Sequence, residues 1–158
     1  MPSMHRLNRI LLGIWAGALL FMGGAVAPVL FAHLPERQMA GDVAGVLFAY
    51  LDWAGLAFAL WFLVQALRGG GRAARLAWSF VALLLLASRL LLNPRMEVIK
   101  ARGPVDALAP DSPELQLFGA LHGVSSLIFL LILLVVIWQL WVHVGPVNKR
   151  DRPDQGRE

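Results

Sequence analysis

The sequence contains no cysteine and few charged residues. Without a thiol, the chain cannot form a disulfide, bind a metal through thiolates or use a cysteine nucleophile. Only 15% of its 158 residues are charged and 58% are hydrophobic, whereas a soluble domain is about a quarter charged and about half apolar. This imbalance indicates an integral membrane protein.

A basic patch with interleaved aromatic residues is also missing, although the formal net charge is +4. Proteins that bind nucleic acid carry such a patch on one face. Here the basic residues lie at the ends of apolar runs, where they orient a membrane protein. Nucleic acid is therefore excluded as a partner, and the lipid bilayer is the expected surroundings.

Four apolar runs are each long enough to cross a bilayer, which takes about 20 residues. We therefore expect an all-α fold, an integral membrane four-helix bundle in which spans three and four protrude on the extracytoplasmic side. A single domain at 1–147 is followed by a charged cytoplasmic tail at 148–158, for which we expect disorder. The predicted spans are about 8–33, 43–67, 76–95 and 117–144.

The Lys and Arg residues outside the spans are divided unequally between the two sides of the membrane. Of the 14, nine lie with the N-terminus, the turn at 68–75 and the tail, four lie on the other side, and Arg89 falls within a span. Because positively charged loops stay in the cytoplasm, we expect both termini inside, in the inner (plasma) membrane. Tryptophans near the cytoplasmic ends of the spans agree with this orientation: Trp15, Trp61, Trp78, Trp138 and Trp141.

Two prolines and three glycine pairs predict how the helices bend and pack. Pro28 and Pro94 fall inside apolar runs and predict kinks, because proline lacks the N–H that a helix interior uses. Glycines four residues apart let helix backbones approach closely, so we expect them to pack helices within the bundle rather than to form a dimer seam. The pairs are Gly13 and Gly17, Gly41 and Gly45, and Gly119 and Gly123.

Asp52 in span two and Arg89 in span three are charged residues in predicted hydrocarbon. A charge at that depth costs about 2.5–3.5 kcal/mol on insertion scales, so it usually has a partner or a function. A helical rise of about 1.5 Å per residue places both below the extracytoplasmic end. We predict a buried ion pair between them, with outward snorkelling of Arg89 as the alternative.

Further polar residues collect above this pair and form a predicted polar cap. Two interpretations stay open at this point. The cap is a small binding vestibule for an ion, an anion or a metal, or it consists of side chains that bridge helices and repair the backbone freed by Pro94. Its residues are His33, Asn93, Arg95, Glu97, His122, Ser125 and Ser126.

Cofactor and enzyme signatures are weak. His33 and His122 are the candidate ligands for haem or a metal, since bundles hold haem between histidines on facing helices. Neither lies deep in a span, and no His-x-x-x-His or Glu-x-x-His spacing supports a metal site. The glycine run at 69–71 lacks the Lys and Ser/Thr of a phosphate loop. We therefore expect no cofactor and no catalytic residues.

Several motifs resemble the transmembrane protein 205-like family, whose bacterial members are described as the domain of unknown function DUF4149. They are Ala-Pro-Val-Leu-Phe at 27–31, Asn-Pro-Arg-Met at 93–96 after Arg89, and Leu-His-Gly at 121–123. The resemblance extends over about 8–144. It implies a four-helix integral membrane protein without an established activity.

Three functional hypotheses follow. The first is a membrane component that binds or passes a small ion or solute at the polar cap. The second is a metal- or haem-binding redox protein that uses His33 and His122. The third is a structural subunit that docks a membrane partner or another copy through its glycine faces. Because the cytoplasmic halves of the spans carry no continuous polar path, transport requires an oligomer or a rearrangement.

Overall fold

The structure is a computed structural model that describes residues 2–144, with side-chain surroundings for residue 4 and residues 6–142. In this part of the chain every regular element is helical, which confirms the all-α prediction. Two π-helical turns, Met22–Val26 and Ser88–Leu92, and a short 3₁₀ turn, Val105–Ala107, accompany the α-helices. The α-helices are α1 (Pro2–Phe21), α2 (Ala27–His33), α3 (Arg37–Gly69), α4 (Arg72–Ala87), α5 (Asn93–Lys100) and α6 (Pro113–Val144).

Four helical segments are long and apolar enough to cross a membrane, which confirms a multi-pass four-helix bundle. They are longer than predicted, because the polar residues beside each apolar run remain helical. Span four begins where Ser112 Oγ accepts the Leu115 N–H at 3.3 Å, an N-cap contact. The segments are span one (Arg6–His33), span two (Arg37–Gly69), span three (Arg72–Lys100) and span four (Pro113–Val142).

The bundle has two ends, which we name by what lies there. The connector end carries the short loop before Arg37 and the longer connection from Lys100 to Pro113. The terminal end carries the turn between spans two and three together with the start of span one. At the terminal end Trp61 Nε1 donates to Asn8 Oδ1 at 3.2 Å and joins span two to span one.

Stacked aromatic side chains fill the half of the bundle nearer the terminal end. The Trp15 ring lies 5.5 Å from Phe58 and 6.2 Å from Trp78, and Phe62 lies 4.6 Å from Trp78. These residues come from spans one, two and three, and Val136 of span four is also fully buried in this cluster. Offset aromatic contacts of this kind add to the free energy gained by burial. This aromatic core is the main packing contact of the bundle.

The aromatic core corrects one part of the tryptophan argument. Trp15 and Trp78 are only 1% and 2% exposed, so they pack inside the bundle and do not belong to an interfacial belt. Trp61, Trp138 and Trp141 are exposed, as a belt requires. Position along a span gives the depth of a tryptophan, whereas its rotation about the helix axis decides between core and lipid.

In spans one and three, a π-helical turn ends two residues before the proline inside the span. Met22–Val26 precedes Pro28, and Ser88–Leu92 precedes Pro94. Proline has no N–H for the carbonyl four residues back, and a π-helical turn accommodates the altered hydrogen bonding by adding a residue to the turn. Spans one and three therefore continue through their prolines instead of ending there.

The glycines that bring helices close together are not the predicted pairs. A Cβ on Gly23 would lie 2.9 Å from the Phe129 ring, and a Cβ on Gly55 would lie 2.9 Å from Trp15 Cζ2. The structure corrects the predicted role of the six paired glycines within the bundle, because the helices meet along faces of large aromatic and small alanine side chains. An added Cβ would meet nothing within 4 Å at Gly13, Gly17, Gly41, Gly119 or Gly123, and only Lys100 Nζ, at 3.8 Å, at Gly45.

We predict that Gly55→Ala destabilises the bundle by about 1–3 kcal/mol, because the added methyl group overlaps the fixed ring of Trp15. Gly13→Ala is the matched control, since its methyl group has open space. The measurement is thermal unfolding in detergent, followed by circular dichroism. Equal unfolding temperatures for the two variants would contradict the close approach of spans one and two.

Candidate functional site

A cleft of about 120 Å³ opens between spans two and three, and two opposite charges line it. Asp52 comes from α3 and Arg89 from the π-helical turn that joins α4 to α5. The sequence-predicted pair thus shares one site. The other lining residues are apolar: Trp53, Leu56, Leu85, Leu86 and Leu90.

Asp52 and Arg89 share the cleft without forming a direct salt bridge. In the described part of the chain, salt bridges are made by Lys100 and Arg102, not by Arg89. The Arg89 guanidinium carbon instead lies 5.3 Å from the centroid of the Trp53 ring, a cation–π contact. Arg89 and Asp52 nevertheless line the same cleft, so their opposite charges lie near each other. The aromatic face therefore positions the guanidinium, and both charged groups are left beside the cleft.

The cleft lies well inside the membrane-spanning part of the bundle. At about 1.5 Å per residue, Asp52 is roughly 22 Å from Arg37, and Arg89 is roughly 16 Å from Lys100. Trp53 and Leu90, which flank the cleft, are 57% and 67% exposed. The mouth of the cleft therefore opens on the outer surface of the bundle, which meets lipid in a membrane protein, and not at either aqueous end.

The π-helical turn Ser88–Leu92 sets the direction of Arg89. Successive residues of an α-helix are about 100° apart, so an added residue rotates the side chains that follow relative to those before. In this turn Ser88 is buried against the bundle, at 6% exposure, while Arg89 is half-buried at the cleft. Pro94 lies two residues after the end of this π-helical turn. Its missing backbone N–H is the sequence feature that favours the wider turn.

A second polar cluster, at the connector end, fastens span two to span three. Lys100 Nζ lies 3.1 Å from Asp42 Oδ1 and 3.2 Å from Glu97 Oε1. Gln38 Nε2 donates to both carboxylate oxygens of Asp42 at 3.3 Å, and Gln38 Oε1 accepts the Val105 N–H at 3.3 Å. We call these residues the Lys100 cluster. Because its cation is already held by two carboxylates, the cluster acts as a clamp between helices.

The histidines and serines of the predicted polar cap make local contacts. His33 Nδ1 lies 3.1 Å from the Val29 carbonyl oxygen of its own helix, and His122 stacks on Phe118 with ring centroids 6.3 Å apart. Ser126 Oγ donates to the His122 carbonyl at 2.9 Å. Each contact lies within about one helical turn, so these residues do not bridge spans.

The remaining cap residues also fail to gather into one group. Arg95 is exposed, Asn93 and Ser125 are half-buried, and Glu97 belongs to the Lys100 cluster. Sequence reasoning missed Gln38, Asp42 and Lys100 as partners. The four-residue spacing of Gln38 and Asp42 and the three-residue spacing of Glu97 and Lys100 were the available signal, since such pairs meet on a helix surface.

The described residues contain no group of three His, Asp or Glu side chains close enough to hold a metal ion. His33 and His122, the candidate haem or metal ligands, are both exposed at the surface of their helices. The arrangement that concentrates polar chemistry inside the membrane is therefore the cleft, where a carboxylate and a guanidinium face an apolar wall.

A family model described as Domain of unknown function (DUF4149) matches residues 10–104. The chain belongs to this family. The DUF4149 match includes nearly all of spans one to three, and with them Asp52 and Arg89, and it ends before span four. Comparisons with curated proteins and with solved structures find no match. The link to the transmembrane protein 205-like family stays a prediction.

Proposed function

We propose that this DUF4149 protein is a non-enzymatic membrane component that binds a small ion or solute in the cleft between Asp52 and Arg89. The observation that carries the proposal is the presence of two opposite charges in one cleft, at membrane depth, without a direct salt bridge. Charged groups in that position are costly to maintain and usually mark a site. A bound molecule that contacts both groups offsets this cost.

The size of the cleft supports a small occupant. Its volume of about 120 Å³ has room for several water-sized groups, each of which needs about 10–15 Å³ of such space. The proposal places the site in the cleft instead of the polar cap predicted from the sequence, because the cap residues make separate local contacts. It also favours binding over transport, since the aromatic core closes the bundle between the cleft and the terminal end.

A structural role is the second candidate. The glycine pairs of spans one and four face outward and leave open space beside the helix, which suits the close approach of another membrane helix. Docking of a partner protein or of a second copy on these faces is compatible with ligand binding, since the cleft lies between the other two spans. No contact among the described residues favours the metal or haem hypothesis.

The proposed location is the inner (plasma) membrane, with both termini in the cytoplasm. The unequal distribution of Lys and Arg supports this orientation. It places the terminal end of the bundle inside and the connector end, with the Lys100 cluster, outside.

The binding proposal predicts that the purified protein carries a small molecule at close to one per chain. The protein is first purified from native membranes in mild detergent. It is then denatured, and the molecules that it releases are measured by mass spectrometry. The molecule should be absent from a folded variant carrying Asp52→Asn and Arg89→Gln together. It should be retained in Asp42→Asn, the control in the Lys100 cluster. Equal recovery from all three proteins, or nothing near stoichiometric in the wild type, would contradict the proposal.

The orientation is tested with single cysteines, because the natural chain has none. Asp106→Cys, in the long connection, should react with a membrane-impermeant maleimide in intact cells. Gly71→Cys, in the turn between spans two and three, should react only after the membrane is permeabilised. The reverse pattern would show that the termini lie outside.

A further inference from the structure

We infer that the cleft takes a neutral, membrane-soluble amphiphile whose head group both accepts and donates hydrogen bonds, of which a long-chain primary amide is the simplest example. This inference rests on the proposed function and names the class of its ligand. It follows from two features of the site: the balance of its charges and the position of its mouth.

The balance of charges disfavours an ionic ligand. An anion attracted by Arg89 meets the carboxylate of Asp52 in the same cleft, and a cation attracted by Asp52 meets the guanidinium of Arg89. Like-charge repulsion is strong where the surroundings are apolar. A neutral head group avoids both repulsions. Its acceptor faces Arg89 and its donor faces Asp52.

The position of the mouth selects a ligand that arrives from the bilayer. Leu86, Leu90 and Trp53 line the cleft and are also exposed on the outer surface of the bundle, at 39%, 67% and 57%. A solute from water would have to cross hydrocarbon to reach them, whereas a lipid-soluble molecule is already there. The apolar lining also gives an aliphatic chain a surface on which to lie.

The test compares three probes with the same chain and different head groups. Dodecanamide, dodecanoate and dodecylamine are each added at low mole fraction to the full-length protein in phosphatidylcholine nanodiscs at neutral pH. A ligand that binds the folded state raises the unfolding temperature in a concentration-dependent way. We expect dodecanamide to bind about tenfold or more tightly than either charged probe, since each charged head leaves one buried group unpaired.

Variants then identify the groups that bind. Leu86→Trp fills the mouth of the cleft from the lipid side, so it should weaken dodecanamide binding about tenfold or more. Leu83→Trp is the matched control, because Leu83 is exposed on the same span but does not line the cleft, and it should change nothing. If Leu86→Trp does not fold, Arg89→Gln provides the test, since it removes the charged donor that faces the ligand and should weaken binding.

The outcomes separate the ligand class from the proposed function. Tightest binding by dodecanoate, lost in Arg89→Gln and kept in Asp52→Asn, would overturn the neutral class and leave the cleft as an anion site. Equal shifts from all three probes, unaffected by Leu86→Trp, would show a bilayer effect and overturn the inference. A molecule recovered from the native protein and lost with the two charge substitutions would support the proposed function in either case.

Discussion

The compensation of charge inside the membrane is the constraint on which this structure depends. Spans two and three each carry one ionisable residue far from both ends of the span, and the fold brings Asp52 and Arg89 to the same cleft. The ring of Trp53 lies against the guanidinium, and the π-helical turn Ser88–Leu92 directs Arg89 toward the cleft. The two opposite charges lie in one small cleft whose other lining residues are apolar. This arrangement is the basis of the proposed binding site.

The rest of the bundle holds the cleft between two well-packed regions. Toward the terminal end, the aromatic core joins all four spans around Trp15 and Trp78. Toward the connector end, the Lys100 cluster ties span two to span three and, through Gln38, to the long connection. Between these regions spans two and three are separated enough to leave the cleft. The proposed binding site therefore lies between two packed regions of the bundle. Such a division between rigid supports and an open site is common in binding proteins.

The sequence was sufficient for those features that depend on depth and insufficient for those that depend on rotation about a helix axis. Hydropathy predicted the four spans, and counting residues from the span ends put Asp52 and Arg89 at comparable depth. Counting residues along a span gives the depth of a side chain but does not show which face of the helix turns inward. This explains why Gly13 and Gly17 were expected in a helix contact that Gly55 makes, and why Trp15 was expected in a belt. Pro94 predicts a kink in span three, and the π-helical turn that precedes it is a finding of the structure. The Lys100 cluster joins residues far apart in the chain and becomes apparent only once α3 and α5 lie side by side.

The central claim is that Asp52 and Arg89 compensate each other within one site, and a double-mutant cycle tests it most directly. Asp52→Asn and Arg89→Gln are made singly and together, and the free energy of unfolding is measured in lipid nanodiscs. Each single variant leaves one uncompensated charge in the membrane and should be destabilised by about 1–3 kcal/mol. The double variant should be more stable than the sum of the two changes implies, with a coupling energy of about 1 kcal/mol or more. Strictly additive destabilisation would contradict the claim, because it would mean that the two charges are solvated independently.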